Sequence, residues 1–364
     1  MIKVLFNIFS LTINWVCIIL FVLSGIATQI NPNVWILPSV LSIGFLFFAI
    51  ANILFVFYWL IRKKWSFIFS LFFLFLFAQN LFNFCSLTIV PEVEQRSENT
   101  VKILSYNVKL FDFFKKNKKG ENKIISYILE QDADVVCLQE FGYFNKKGFL
   151  SEHDIQQSLS SRYPYSYVET HKTRKGQGSY GVATFSKFPI LKKEKVNYQT
   201  DFNYSIYTDI KINKDTFRIF NCHLESNRLT IDDKKKMFEM METKEEERIE
   251  TMRLLAKKFG ESSKIRANQV DVVQKLVHNG DVRKVIVCGD FNDIPNSYTY
   301  KKIKGLFVDA FVATSSGVGV TYNEMPFYVR IDYFLCSKEI ALVSYKRGDV
   351  LYSDHYPIQI EINN

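Results

Sequence analysis

Apolar positions follow two regimes along the chain. Up to residue 90 they run in long blocks, and from about residue 102 they come in short β-branched runs between polar stretches. The blocks are residues 4–27 (VLFNIFSLTINWVCIILFVLSGIA), 35–61 (WILPSVLSIGFLFFAIANILFVFYWLI) and 65–90 (WSFIFSLFFLFLFAQNLFNFCSLTIV). Each exceeds the roughly 20 residues that cross the hydrocarbon core of a bilayer, so residues 1–90 are predicted to form a three-helix transmembrane anchor. Gln79, Asn83 and Ser86 fall at helical spacing, which predicts a polar face turned into the bundle. Lys3 precedes the first block as in a signal peptide, but no A-x-A site follows it and two more blocks do, so it reads as an uncleaved anchor.

Residues 91–101 (PEVEQRSENTV) are polar, open on Pro91 and read as a linker. Residues 102–364 read as one α/β domain. The runs VKILSYNV, DVVCLQE, GVATFSK, SIYTDIKI, TFRIFNCHL, VIVCGDF, YFLCS and PIQIEI have strand character, while KIISYILEQ and the stretch 233–278 read as helix. That alternation predicts sheets covered by helices. Segment 233–262 is dense in charge of both signs and reads as a solvated helix without chemistry.

Charge fixes an orientation. Residues 1–90 hold no Asp or Glu, and their charged residues are Lys3, Arg62, Lys63 and Lys64, about +4 of the net +9. The basic cluster between the second and third blocks places that loop and the N-terminus in the cytoplasm. Three spans then put everything after residue 90 on the outer, periplasmic or extracellular side. The six cysteines show no CxxC or zinc-type spacing and read as buried free thiols. Four unpaired thiols in the domain are unusual for an oxidising compartment and pull against that orientation. No internal repeat or nucleotide-binding glycine loop is present.

Chemistry gathers where apolar strands end. Glu140 closes DVVCLQE, His223 follows TFRIFNC, and Asp290 and Asn292 sit in GDFND. Asp332 lies in RIDYFL, and Asp354 and His355 lie in SDHYPI. Loops at strand ends are where a rigid scaffold presents reactive groups. Hydrolysing a phosphoester takes a divalent ion on carboxylate oxygens, a base near neutral pKa, a carboxylate to orient it, and donors for the phosphoryl oxygens. Each part has a candidate here. A lone Glu or His at a strand end is ordinary surface or structural residue, but two acids and an Asn after a buried strand, and an Asp-His pair before Pro, have little packing rationale.

The motifs ILSYNV, VVCLQE, NCHLES, GDFND, RIDYFL and SDHYPI, in this order over about residues 102–364, resemble the endonuclease/exonuclease/phosphatase superfamily of the DNase I-like fold. The resemblance implies a four-layer α/β/β/α sandwich with the site at one edge of two sheets. It implies that Glu140, Asn107 and Asp354 form the metal region, taking Mg²⁺ or Mn²⁺. His223 would contact the scissile phosphate, Asp290 and Asn292 would handle the water or leaving group and steady the phosphate, and Asp332 would orient His355, which deprotonates or positions the water. Lys109, with Asp112 further on, departs from nucleases that carry an acid two residues after the first-motif Asn.

The basic excess suits an anionic substrate, either nucleic acid or a phospholipid head group. His171, Lys172, Arg174 and Lys175, and separately Ser226, Asn227 and Arg228, are further candidates for contacting it, although a solvated loop explains them as well. Phe327 and Tyr328 are candidate lipid contacts. His153 and His278 read as surface residues. The alternative is a catalytically inactive, membrane-tethered binding module of the same fold, which the full set of acids, Asn and His argues against. No obligate protein partner is implied. Cysteines placed in 91–101 are expected to react with an impermeant maleimide in intact cells; protection until permeabilisation would put the domain inside.

Overall fold

The computed structural model describes residues 2–88, 100–112, 122–144, 150–172, 178–198, 203–240, 242–305, 307–325 and 327–363. The chain divides into two compact units. One comprises Met1–Cys85, Asn227–Ala267 and Asp293–Lys302; the other comprises Ser86–Ser226, Asn268–Asn292 and Ile303–Asn364.

In the first unit, two helical stretches, Lys3–Thr28 and Leu37–Ile61, are long and apolar enough to cross a membrane. Large apolar side chains such as Phe47, Leu54 and Ile61 lie exposed along these helices, a surface suited to lipid rather than water. The third block differs from the expected straight span. It forms Phe67–Leu76 and Ala78–Phe84, bent by 63°. Phe77 leaves the helical backbone at φ −104°, and its ring packs edge-on against Phe21 at 5.5 Å and directly over Gly25. Asn80 then donates to the Gly25 carbonyl at 3.1 Å. Gln79 is exposed instead of facing the bundle. The polar residues that do tie the helices together are Asn14, Asn52 and Ser70, all buried. Asn14 Nδ2 donates to Ser70 Oγ at 2.7 Å, Ser70 Oγ donates to Asn52 Oδ1 at 3.0 Å, and Trp59 Nε1 donates to Asn14 Oδ1 at 2.8 Å. Buried together, these groups satisfy one another, which pins the register of the three helices.

The same unit contains parts of the later chain. Gly260 packs so closely on Ile36 and Val40 that an added Cβ would come within 2.4 Å of Ile36. Buried Asn296 donates to the Ser24 carbonyl at 2.9 Å and accepts from Asn80 at 2.7 Å. Part of the charged stretch therefore has a structural role that its composition does not reveal.

The strands are β1 (Cys85–Leu87), β2 (Thr100–Asn107), β3 (Val135–Phe144), β4 (Tyr165–Lys172), β5 (Gly178–Ser186), β6 (Ile190–Val196), β7 (Ser205–Ile212), β8 (Asp215–His223), β9 (Lys284–Asp290), β10 (Val308–Asp309), β11 (Ser316–Val318), β12 (Asp332–Cys336), β13 (Leu342–Arg347) and β14 (Ile358–Asn363). Two six-stranded sheets run in the orders β13-β14-β2-β3-β5-β4 and β10-β12-β9-β8-β7-β6, and β1 and β11 form a separate ladder. Each six-stranded sheet has a parallel pair, β2/β3 in one and β8/β9 in the other. Alternation along β3 explains the layers. Val135 and Cys137 enter the core between the sheets with Ile219, Ile286 and Phe334. Val136 and Leu138 point outward beneath Ile124, Ile128, Ile155 and Leu159 of the helices Lys123–Gln131 and Glu152–Ser160. The architecture is the expected α/β/β/α sandwich. Cys137, Cys222, Cys288 and Cys336 are free and buried.

Gly289 is required where β9 meets β8. Its φ is +118°, and an added Cβ would lie 2.1 Å from the Cys222 carbonyl oxygen. Gly289→Ala is expected to cost on the order of 1–3 kcal/mol or more in backbone strain. Urea unfolding should show a clearly lowered midpoint, and an unchanged midpoint would contradict the tight strand contact.

Candidate active site

Strand register builds the site. Asp332 on β12 pairs with Asp290 on β9, and Asp290 pairs with His223 on β8. Paired residues on neighbouring strands share a face about 4.8 Å apart, so the three side chains form one row. On the other sheet Asn107 ends β2 opposite Gln139 of β3. The next residue, Glu140, sits in a bulge at φ +47°. Bulges re-aim side chains, and this one brings Glu140 Oε1 to 3.9 Å from His223 Nε2.

Asn107 joins the rows. Asn107 Nδ2 donates to Asp290 Oδ2 at 3.0 Å and to Glu140 Oε1 at 3.2 Å. Beneath them, fully buried Gln139 donates through Nε2 to Asn221 Oδ1 at 2.7 Å, and Asn221 Nδ2 donates to the Ala183 and Leu138 carbonyls at 2.9 and 3.2 Å. This amide pair links β3 to β8 directly below Glu140 and His223.

His355 arrives from the loop before β14. Its Nδ1 is 2.9 Å from Asp332 Oδ2, and its Nε2 is 3.7 Å from Asp290 Oδ2. Thr321 Oγ1 accepts from the Asp332 amide at 3.0 Å, and the Tyr322 ring lies 5.1 Å from the imidazole. Ser353 Oγ donates to the Asn107 carbonyl at 2.8 Å, fastening this loop to β2. Asn292, at φ +53°, donates from its backbone to Asp290 Oδ1 at 2.8 Å and from its amide to the Leu224 carbonyl at 3.0 Å.

The electrostatics follow from crowding acids and imidazoles in a dry row. Burial and the Asp332 charge push Asp290 above the usual carboxylate range, with His355 opposing them. Burial alone would lower His355, but Asp332 and Asp290 outweigh it and hold the imidazole well above its ordinary value. Burial keeps His223 low. Burial and Asp354 raise Glu140.

Two donor groups bear on a divalent ion, which family members typically use. Asp290, Asp332 and His355 offer ligand atoms within 4.8 Å of one another. All three are nearly sealed, and their atoms already bond to each other or to amides. Mg²⁺ prefers few carboxylates and several retained waters. Glu140 fits that need better, since its side chain remains 35% exposed.

Asn107, Glu140, His223, Asp290, Asn292, Asp332, Asp354 and His355 thus all lie in one unit, with the first four linked to one another and, through Asp290, to His355 and its partner Asp332. Asn227 and Arg228 fall in the other unit, where Asn227 Oδ1 accepts from Arg266 at 3.0 Å and the Arg228 carbonyl accepts from Lys258. Arg174 and Lys175 lie outside the described residues, and His171 stacks at 6.4 Å on Tyr204. Gln139, Asn221, Thr321, Tyr322 and Glu324 are site neighbours that sequence reasoning missed. Only Gln139 had a signal, as a polar residue ending a buried run.

The chain belongs to the Endonuclease/Exonuclease/phosphatase family, whose model matches residues 104–355. Residues 5–84 match a domain of unknown function, DUF8431. No curated protein matches the chain. The crystal structure of an endonuclease/exonuclease/phosphatase from Beutenbergia cavernae DSM 12333 is similar at TM-score 0.53 and 14% identity, covering 73% of this chain and 72% of that one. A family protein from Leptotrichia buccalis C-1013-b aligns at TM-score 0.49 and 17% identity over 72% of this chain and 100% of that one. Staphylococcus aureus beta toxin aligns at 0.48 and 18%, over 71% and 99%. At 14% identity the first supports the fold.

Replacing Gln139 with Met removes the donor that reaches Asn221 while nearly keeping volume. The orphaned Asn221 is expected to cost about 1–3 kcal/mol, with a matching fall in thermal midpoint. Unchanged stability would show that the amide pair does not hold the sheets in register.

Proposed function

We propose that this protein is a membrane-anchored, Mg²⁺-dependent phosphoesterase that hydrolyses its substrate by in-line attack of water. The observation that carries the reading is the convergence of the Asp332–His355 pair, Asp290 and His223 on one row, with partly exposed Glu140 beside them. Glu140 would hold the divalent ion, which when bound offsets charge on the phosphate. Asn107 donates to Glu140 and Asp290 and so fixes both carboxylates; its proposed part is to orient the metal region.

The expectation that His355 takes the proton from water is refined by its surroundings. Two carboxylates favour the imidazolium, so His355 is assigned to the phosphoryl oxygens. Asp290, raised by burial and by Asp332, is assigned the proton of the attacking water. His223, low and neutral, contributes a hydrogen bond to the phosphate. Asn292 steadies Asp290 through its backbone and side chain. The likeness of the whole domain to hydrolases of phosphoester bonds supports this class of chemistry.

A lipid head group is favoured over nucleic acid by one feature. The loop that carries Tyr322 and Glu324 continues into exposed Met325 and Tyr328, apolar surface next to the site. The apolar helices support anchoring, and the basic cluster at Arg62–Lys64 supports a cytoplasmic N-terminus with the catalytic domain outside.

The test is a metal-dependent screen of the purified protein against plasmid DNA, RNA, bis-p-nitrophenyl phosphate, sphingomyelin and inositol phosphates. Turnover should require Mg²⁺ or Mn²⁺, vanish with EDTA, and fall by about a hundredfold or more in Glu140→Ala and Asp290→Asn. In its pH profile kcat/KM should rise as Asp290 deprotonates above the ordinary carboxylate range. It should fall again at a pH above the ordinary histidine range, as His355 loses its proton. His355→Asn should remove that alkaline limb. Full EDTA-resistant turnover in Glu140→Ala would refute the reading.

A further inference from the structure

The chain runs from two strands of the site straight into the unit of the N-terminal helices. β8 ends at His223, and the chain enters that unit at Asn227. β9 ends at Asp290, and the chain enters it at Asp293, the residue after Asn292. One side chain holds both entry points. Arg266 is 2% exposed, and its Nε donates to Asp293 Oδ2 at 3.0 Å. Its Nη1 donates to Asn227 Oδ1 at 3.0 Å and its Nη2 to Ser263 Oγ at 3.3 Å. Asn227, Ser263, Arg266 and Asp293 all belong to the unit of the helices.

A guanidinium sealed from water is costly unless its charge is paired and its donors are met. Here a carboxylate, an amide and a hydroxyl meet a rigid planar fork. Asn227 and Asp293 therefore cannot drift apart without stranding a buried charge. The same segment is fastened to the apolar helices three residues further on. Buried Asn296 donates to the Ser24 carbonyl at 2.9 Å and accepts from Asn80 at 2.7 Å. Between the two ties the chain is stiffened, since Asp293 Oδ1 accepts from the Ile294 amide at 3.1 Å and the Ser297 amide donates to the Ile294 carbonyl at 3.1 Å.

The strand ends are equally constrained on the site side. Asn292 bonds Asp290 through its backbone at 2.8 Å and the Leu224 carbonyl through its amide at 3.0 Å. The Glu225 amide donates to Gln269 Oε1 at 2.9 Å. Gln269 and Arg266 lie about one turn apart on the continuous helix Glu245–His278. One rod thus grips the chain after His223 at Glu225 and again at Asn227. We propose that Arg266 is a positioning residue: it passes the placement of the N-terminal helices to His223 and Asn292, so that those helices serve the reaction and are more than a tether. Its kinetic part rests on the functional reading above.

The experiment compares the full-length wild type with Arg266→Lys and Asn80→Leu in detergent micelles, each checked for an intact fold by its thermal midpoint. Lysine keeps the charge but not the fork, and Asn80→Leu breaks the tie at its helical end. With Mg²⁺ and bis-p-nitrophenyl phosphate, kcat should fall about tenfold or more in Arg266→Lys, and in the same direction in Asn80→Leu. KM should stay within about twofold, the pattern of misplaced groups that act in the transition state. Amide hydrogen exchange read by mass spectrometry needs no substrate. Peptides holding Leu224, Glu225 and Asn292 should exchange faster in both variants, while those holding Ile103 and Ile360 stay unchanged. Folded variants with wild-type kcat and wild-type exchange at Leu224, Glu225 and Asn292 would overturn the proposal. If the wild type turns over no phosphoester, the functional reading fails and exchange alone decides: faster exchange upholds the tie, and unchanged exchange overturns it.

Discussion

A buried amide pair, Gln139 on one sheet and Asn221 on the other, sets the distance across which this site is assembled. Sandwich cores are usually closed by apolar contacts, which are tolerant of small slides. An amide pair at zero exposure is not, because a slip leaves polar groups unpaired in a dry interior. Residues 139 and 221 stand one and two positions before Glu140 and His223. Fixing the first pair therefore fixes the second, and the Asn107–Asp290 bond repeats the tie one layer higher.

Once the two sheets are in register, the rest follows from pairing. Parallel β8 and β9 and antiparallel β12 set His223, Asp290 and Asp332 in one row, and the bulge at Glu140 supplies the acid that the regular strand would have turned away. Concentrating carboxylates in this way would be costly without compensation. The structure compensates locally with imidazolium and amides, and leaves one acid open. Local charge balance and not net charge thus explains the chemistry; the overall excess of +9 says little about it.

Much of this was legible in the sequence because strand ends announce themselves. VIVCGDFND and SDHYPI break apolar runs with groups that packing does not need, and family order joins motifs that lie far apart in the chain. The long apolar blocks were equally plain by length, yet the third bends, since hydropathy does not encode Phe77 packing onto Gly25. Nor did composition reveal that residues 227–267 belong with the N-terminal apolar helices, as Gly260 against Ile36 depends on a contact more than 220 positions apart. Thr321 and Tyr322 gave no signal at all. Their value lies in a backbone bridge to His355 and a hydroxyl under Asp332, which only the folded chain creates.

The central claim is that a divalent ion on Glu140 and the Asp332-steered imidazole of His355 face one phosphorus from opposite sides. Crystals of the protein grown with Mn²⁺ and inorganic phosphate, with data collected at the manganese edge, test it most directly. The expected map has a manganese anomalous peak on the Glu140 carboxylate and a phosphate within hydrogen-bond reach of His223 and His355. A peak seated instead among Asp290, Asp332 and His355, with that dyad broken, would contradict it.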